Sequence, residues 1–253
     1  YCASGLETIS IAVAKIKAGM GHCYIAGGTE SMSLIPMTGY KLAPNYHVAA
    51  NTPDYVVGMG LTAEAVAGKW NISREAQDVF SLQSHQKAAN AIDQGWFKDQ
   101  IVPVTVPEVW MENDKRKERQ YVVDTDEGVR RDTSLEGLAK LRPAFAQDGS
   151  VTAGNASQTS DGAAFVLVMS ETMMKQLQLE PIARLASCAV AGVEPIHMGI
   201  GPCAAIPKAL QQAGLSLQDL DLIELNEAFA AQALAVIQEA NLDPHLVNVI
   251  GGA

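Results

Sequence analysis

The feature that most constrains this chain is a set of short apolar segments alternating with helical ones in its last hundred residues. Residues 163–169 form a continuous apolar run, which suits a strand covered on both faces. A helical pattern over 171–178 follows. From Pro181 onward the order is strand 182–190, helix 204–213, strand 222–225, helix 227–240 and strand 247–250. Such alternation requires crossover connections, and these produce a largely parallel sheet with helices outside it. The fold class is α/β.

Upstream, Leu6, Ile9, Val13 and Ile16 recur at helical spacing, and Gly19 and Gly21 end that helix. Residues 22–26 read as a short buried strand running into Gly27-Gly28, where paired glycines mean a tight turn or a close backbone approach. Residues 34–157 differ in texture. Pro36, Pro44 and Pro53 punctuate a polar loop, and helices are expected over 62–70 and 73–94, the second capped by Ser73. Pro103 and Pro107 interrupt an edge strand over 101–109, and the run Lys115-Arg116-Lys117-Glu118-Arg119 reads as a solvated loop. This stretch looks like an irregular insertion on a more regular frame, the kind of segment that often carries binding sites.

With 253 residues, 48% of them hydrophobic, the chain can bury a substantial core. A formal net charge of -10 argues against non-specific nucleic-acid binding, which depends on neutralising phosphates. A small anion is still compatible, and residues 34–157, with 13 of the 18 Lys and Arg, are where it would bind. Cys2, Cys23, Cys188 and Cys203 lie far apart without a CxxC pair, so neither a disulfide framework nor a metal site is indicated. No stretch is long enough to span a bilayer and no signal segment opens the chain, so a reducing, cytoplasmic setting is expected. Both ends read as cut, as if the chain were an internal piece of a longer protein.

Cys2 stands just before the first helix, where unpaired N–H groups and the positive dipole end favour a thiolate. The alternative is a cysteine that serves as a small hydrophobe.

The motifs occur in order: Cys2-Ala3-Ser4-Gly5-Leu6, Gly27-Gly28-Thr29-Glu30-Ser31-Met32-Ser33, Thr152-Ala153-Gly154-Asn155-Ala156-Ser157, Met198-Gly199-Ile200-Gly201-Pro202, and Asn226-Glu227-Ala228-Phe229-Ala230. The chain then closes on Asn248-Val249-Ile250-Gly251-Gly252-Ala253. Together, over essentially the whole chain, they resemble the thiolases, coenzyme A-dependent acyltransferases that cleave or form 3-ketoacyl-CoA. The resemblance implies a layered thiolase fold of two similar α/β halves. On that mapping residues 1–33 and 158–179 belong to the first half, 34–157 form an inserted CoA-binding loop domain, and 180–253 begin the second half.

It also implies roles. Cys2 would be the nucleophile that carries the acyl group, its backbone N–H serving one oxyanion site. Asn226 would position a water in the other, or else cap the helix that follows. Ser157, Ala153, Ala156 and Phe145 would line the pantetheine channel, and Arg130 would lie near the nucleotide end unless it is a solvated arginine. Met59, Met198 and Phe229 would border the acyl pocket. CoA is expected as co-substrate, with no permanently bound cofactor, and acyl-CoA as the other partner; a homo-oligomer, dimer or tetramer, is implied for the whole protein. His197 beside a glycine-rich turn invites assignment as general base. The family's activating histidine, however, lies in a Gly-His-Pro motif beyond a Gly-Gly-Ala like that at 251–253, and its second catalytic cysteine lies further on. The isolated chain is therefore expected to lack useful turnover. Degradative 3-ketoacyl-CoA thiolase is the leading reading; the alternatives are an acetyl-CoA acetyltransferase and a non-catalytic acyl-CoA or lipid carrier.

Overall fold

A computed structural model describes residues 2–252; Tyr1 and the closing Ala253 of the last motif lie outside the described residues. Helix α1 (Ser4–Lys17) ends as its glycines require. Gly19 has φ +73°, its N–H bonds to the Ile16 carbonyl and the Met20 N–H to the Lys15 carbonyl, a left-handed helix stop. Strand β1 (Cys23–Ser31) follows and runs straight through the paired glycines. The reason is a close approach rather than a turn: a Cβ on Gly27 (φ +153°) would sit 2.1 Å from the Ala164 carbonyl oxygen on the facing strand.

Next come α2 (Tyr46–Asn51), a 3-10 turn at Pro53–Val56, α3 (Met59–Lys69) and α4 (Arg74–Asp93). Ser73 caps α4, its hydroxyl accepting from the Ala76 N–H at 3.2 Å, as the sequence predicts. Strands β2 (Val104–Glu112) and β3 (Lys115–Val123) form an antiparallel hairpin. This corrects two expectations. The edge strand begins and ends three residues later than its pattern suggested, and the basic run 115–119 is a strand, not a loop. Cross-strand register explains the second point: Lys115 faces Glu112 and Arg119 faces Glu108, so β2 carboxylates partner the cations.

The rest comprises α5 (Leu135–Ala139), β4 (Asp161–Met169), α6 (Glu171–Gln176), α7 (Gly201–Ala213) and α8 (Ala230–Glu239). Strand β4 pairs antiparallel with β1, Ala26 opposite Val166, and α1 packs against both. Both sheets among the described residues are two-stranded and antiparallel, so the largely parallel sheet expected from the sequence is not seen within this chain. Residues 182–190 form no strand, and the strands expected at 222–225 and 247–250 reduce to a single parallel bridge between Ile223 and Val247. Strand character needs a neighbour to pair with, and an apolar run alone does not supply one. For the same reason β4 is not covered on both faces: Phe165 and Leu167 are exposed.

The core lies between α3 and α8. Ala63, Val66 and Ala67 on α3 and Ala231, Ala233, Ala235 and Val236 on α8 are buried, joined by Ile200, Leu225, Leu242 and Val247. Small residues on both helices let the backbones approach closely. Helix α8 starts three residues later than expected because Phe229 is extended (φ −146°, ψ 141°) and forms the cap position itself. Asn226 therefore does not cap it.

Candidate active site

The glycine-rich loop and the Asn226–Ala230 motif are far apart in sequence but zipped together in space. The Ser157 N–H donates to the Ala228 carbonyl, the Ala230 N–H to the Asn155 carbonyl, each at 2.9 Å, and Ala156 bridges Phe229. A buried polar cluster holds this unit. The Asn155 amide donates to the Asp78 carboxylate and to the Ser150 carbonyl, each at 3.1 Å, and its oxygen accepts from the Thr152 N–H at 2.8 Å. Asp78 is paired with Arg74 at 2.8 Å, and the Arg74 guanidinium donates to the Leu138 and Leu141 carbonyls. On the other side the Glu64 carboxylate accepts from the Ser150 and Val151 N–H groups. Carboxylates matched by several donors, buried at Asp78 and half-buried at Glu64, hold their loops firmly.

Three of the residues singled out in the sequence meet on this unit. The Phe145 and Phe229 rings pack edge to face with centroids 5.9 Å apart, and Ala156 is bridged to Phe229 through the backbone. Gly60, next to Met59, makes room for this: a Cβ there would fall 2.1 Å from the Phe145 ring. Met198 sits on a 3-10 turn (Pro195–Ile200) packed on α3 and α8. Ser157 and Ala153 are exposed on the loop.

Ser157 and Ala156 also line a cleft of about 1070 Å³ whose other walls include Ser84, His85, Glu224, Glu227 and Gly252. That is slightly above the range of roughly 300–1,000 Å³ usual for small-molecule sites. Burial pushes the His85 imidazole below its ordinary pKa, helped by the Arg130 charge, and its Nδ1 accepts from the Arg130 N–H at 3.3 Å. A neutral imidazole with Nδ1 accepting carries its proton on Nε2. Burial, then the nearby Glu227 charge, raises the Glu224 carboxyl.

Arg130 is exposed and meets this region through its backbone. Cys2 is exposed, one residue ahead of the Ala3 cap of α1, and is not among the cleft-lining residues; Asn226, also exposed, is flanked by residues that are. His197 is engaged elsewhere. Its Nδ1 lies 2.9 Å from Glu194, and its ring meets the Trp70 ring edge to face. The Cys203 thiol is pushed up to about 11 by burial, with Glu239 adding to it, which makes it a poor nucleophile.

Several residues that shape the site were not assigned roles from the sequence: Asp78, Asn155, Glu64, Ser84, His85 and Glu227. Asn155 and Glu227 lay inside the recognised motifs, which was their only signal. Asp78 and Ser84 lie on α4 among residues read simply as a mixed helix face.

A fold built around this loop-to-motif unit, with an exposed cysteine ahead of α1, belongs to a class defined by comparison. Residues 1–172 match the family described as "Thiolase, N-terminal domain" and residues 179–253 match "Thiolase, C-terminal domain". The chain belongs to the thiolase family. It is 53% identical over 255 residues to the 3-ketoacyl-CoA thiolase of Bacillus subtilis, covering 100% of this chain and 65% of that protein. Against the acetyl-CoA acetyltransferase of Paracoccus denitrificans identity is 47% over 264 residues, covering 100% of this chain and 65% of that protein. Among solved structures, the dimeric peroxisomal thiolase of Saccharomyces cerevisiae superimposes with a TM-score of 0.90 at 39% identity, over 100% of this chain and 63% of that one. The α/β thiolase fold is thus established, and the chain spans just under two thirds of the length of the curated relatives it matches. No helix among the described residues is long and apolar enough to cross a membrane.

Proposed function

We propose that the protein carrying this chain is a coenzyme A-dependent acyltransferase that cleaves 3-ketoacyl-CoA thiolytically. The observation that carries this reading is the pairing of residues 155–157 with residues 228–230, which brings the loop bearing Ser157 alongside the segment that follows Asn226. The Cys2 thiolate attacks the C3 ketone carbon, the C2–C3 bond breaks, and the electron pair leaves as the enolate of acetyl-CoA. The enolate takes up a proton at C2, balanced by the one the second CoA thiol gives up on forming its thiolate. The shortened acyl group stays on Cys2 as a thioester. The thiolate of a second CoA then attacks that carbonyl and expels the Cys2 thiolate. Negative charge develops on the ketone and thioester oxygens, and one preorganised donor to such an oxygen is worth about 3–4 kcal/mol. The Cys2 N–H and a water held by Asn226 are the donors this reading assigns. Ser157, Ala153, Ala156 and Phe145 take the pantetheine arm, Met59, Met198 and Phe229 border the acyl end, and Arg130 takes a phosphate.

The domain assignment made from the sequence, the role in fatty-acid degradation, a cytoplasmic location and a homo-oligomeric state belong to this proposal. A second reading, acetyl-CoA acetyltransferase, is supported by the 47% identity to the Paracoccus denitrificans protein of that name. Loss of 3-ketoacyl-CoA absorbance on adding CoA, measured for acetoacetyl-CoA and 3-ketodecanoyl-CoA, separates the two. Cleavage of the long substrate that disappears in Cys2→Ala supports the first; activity confined to acetoacetyl-CoA supports the second. Activity that survives Cys2→Ala refutes both.

A further inference from the structure

We propose that Glu227 is a positioning residue whose carboxylate locks the turn bearing Asn226 to α4 and to the Asn248–Gly252 segment. The inference deepens the function proposed above and rests on it for its catalytic consequence. Residues 225–227 lie between two backbone bridges, Ile223–Val247 and Ala156–Phe229, and among the described residues no backbone–backbone hydrogen bond falls on them. Side chains hold the turn instead. Asn248 accepts from the Leu225 N–H at 2.8 Å and donates to the Leu225 carbonyl at 2.7 Å, replacing a neighbouring strand. Its amide also donates to Glu227 Oε1 at 2.7 Å. The other oxygen, Oε2, accepts from the Ser84 hydroxyl on α4 at 2.6 Å, and Ser84 Oγ in turn accepts from the Gly252 N–H at 3.2 Å.

Glu227 is only 9% exposed, and a Cβ on Gly252 would fall 2.1 Å from its carboxyl carbon, so chain and carboxylate are in close register. With both oxygens occupied, Glu227 is engaged in holding structure rather than presented to a ligand. Asn226 is the reverse. It is exposed, and its carbonyl is fixed by the Gln232 amide at 3.3 Å, so the backbone on both sides of its side chain is tied down. Misplacing such a group by about an ångström can cost on the order of a hundredfold in rate.

The test uses the complete polypeptide carrying this chain. Without substrate, Glu227→Ala should speed backbone amide exchange in residues 223–229 and 248–252 by about tenfold or more. Glu227→Gln should stay within about threefold, because its amide donates to the Ser84 Oγ lone pair left free while its oxygen still accepts from Asn248. Ser84→Ala, a milder lesion, should move both segments in the same direction. In turnover, Glu227→Ala should lower kcat by about a hundredfold with little change in KM. Combined with Asn226→Ala it should fall no further than Asn226→Ala alone, because the two act as a unit. Unchanged exchange in Glu227→Ala and Ser84→Ala, or losses that multiply in the double variant, overturn the proposal. A wild type without thiolase turnover refutes the proposed function, and the exchange measurement still decides the role of Glu227.

Discussion

Asn155→Ala probes the clamp that joins the glycine-rich loop to the helical core. Asn155 is 3% exposed, and the partners it would abandon are as deeply placed: Thr152 is fully buried and Asp78 is 5% exposed. The substitution leaves the Thr152 N–H and one Asp78 oxygen without partners, at about 1–3 kcal/mol each, and frees the Ser150 carbonyl for a smaller cost. The expected destabilisation is about 3–5 kcal/mol, a large share of the 5–15 kcal/mol typical of a whole protein. For a chain of this size that lowers Tm by roughly 10–15 °C. Asn155→Asp is the companion. It keeps an acceptor for Thr152 but sets a second carboxylate against Asp78, which raises the pKa of the pair. A group whose folded-state pKa is raised stabilises the fold below its unfolded pKa and loses that contribution as pH rises. Asn155→Asp should therefore be defective at pH 7 and recover towards pH 4. Urea unfolding at both pH values measures this, with amide exchange at Thr152 as the local reporter. A loss below about 1 kcal/mol for Asn155→Ala would refute the clamp as the source of loop rigidity.

Gly60→Ala should displace the Phe145 ring and disturb its edge-to-face contact with Phe229, because the added methyl would lie 2.1 Å from the ring. Overpacking of this kind costs about 1–3 kcal/mol, and thermal unfolding together with CoA titration of the same protein reads it; an unchanged Tm would contradict the packing. Glu224 is an exposed residue at the cleft wall with its pKa raised, first by burial and then by Glu227, so its ionised form weighs against the folded state above the ordinary carboxylate range. Glu224→Gln should raise stability slightly at pH 7, by up to about 1 kcal/mol, and leave it unchanged near pH 4, where the carboxyl is protonated anyway. A stability gain that persists at pH 4 would show that the ionised carboxylate is not its source.

By itself the sequence determined the features that depend on neighbouring residues. Ser73 starts α4 and Gly19 stops α1 because capping and left-handed backbone are settled within a few positions. The ordered motifs were sufficient to identify the family, since residue types at fixed spacing survive without any knowledge of contacts. Only the tertiary structure decided what depends on distant partners. The basic run at 115–119 became a strand because β2 faces it with carboxylates, and the apolar runs at 182–190 and 222–225 did not become ladders because few partners reach them. Asn155 and Asp78 lie 77 residues apart, and Glu227 and Ser84 lie 143 apart. A side chain's hydrogen-bonding capacity is written in its identity, but its partner is chosen by the packing of α4 against α8, which no local pattern encodes.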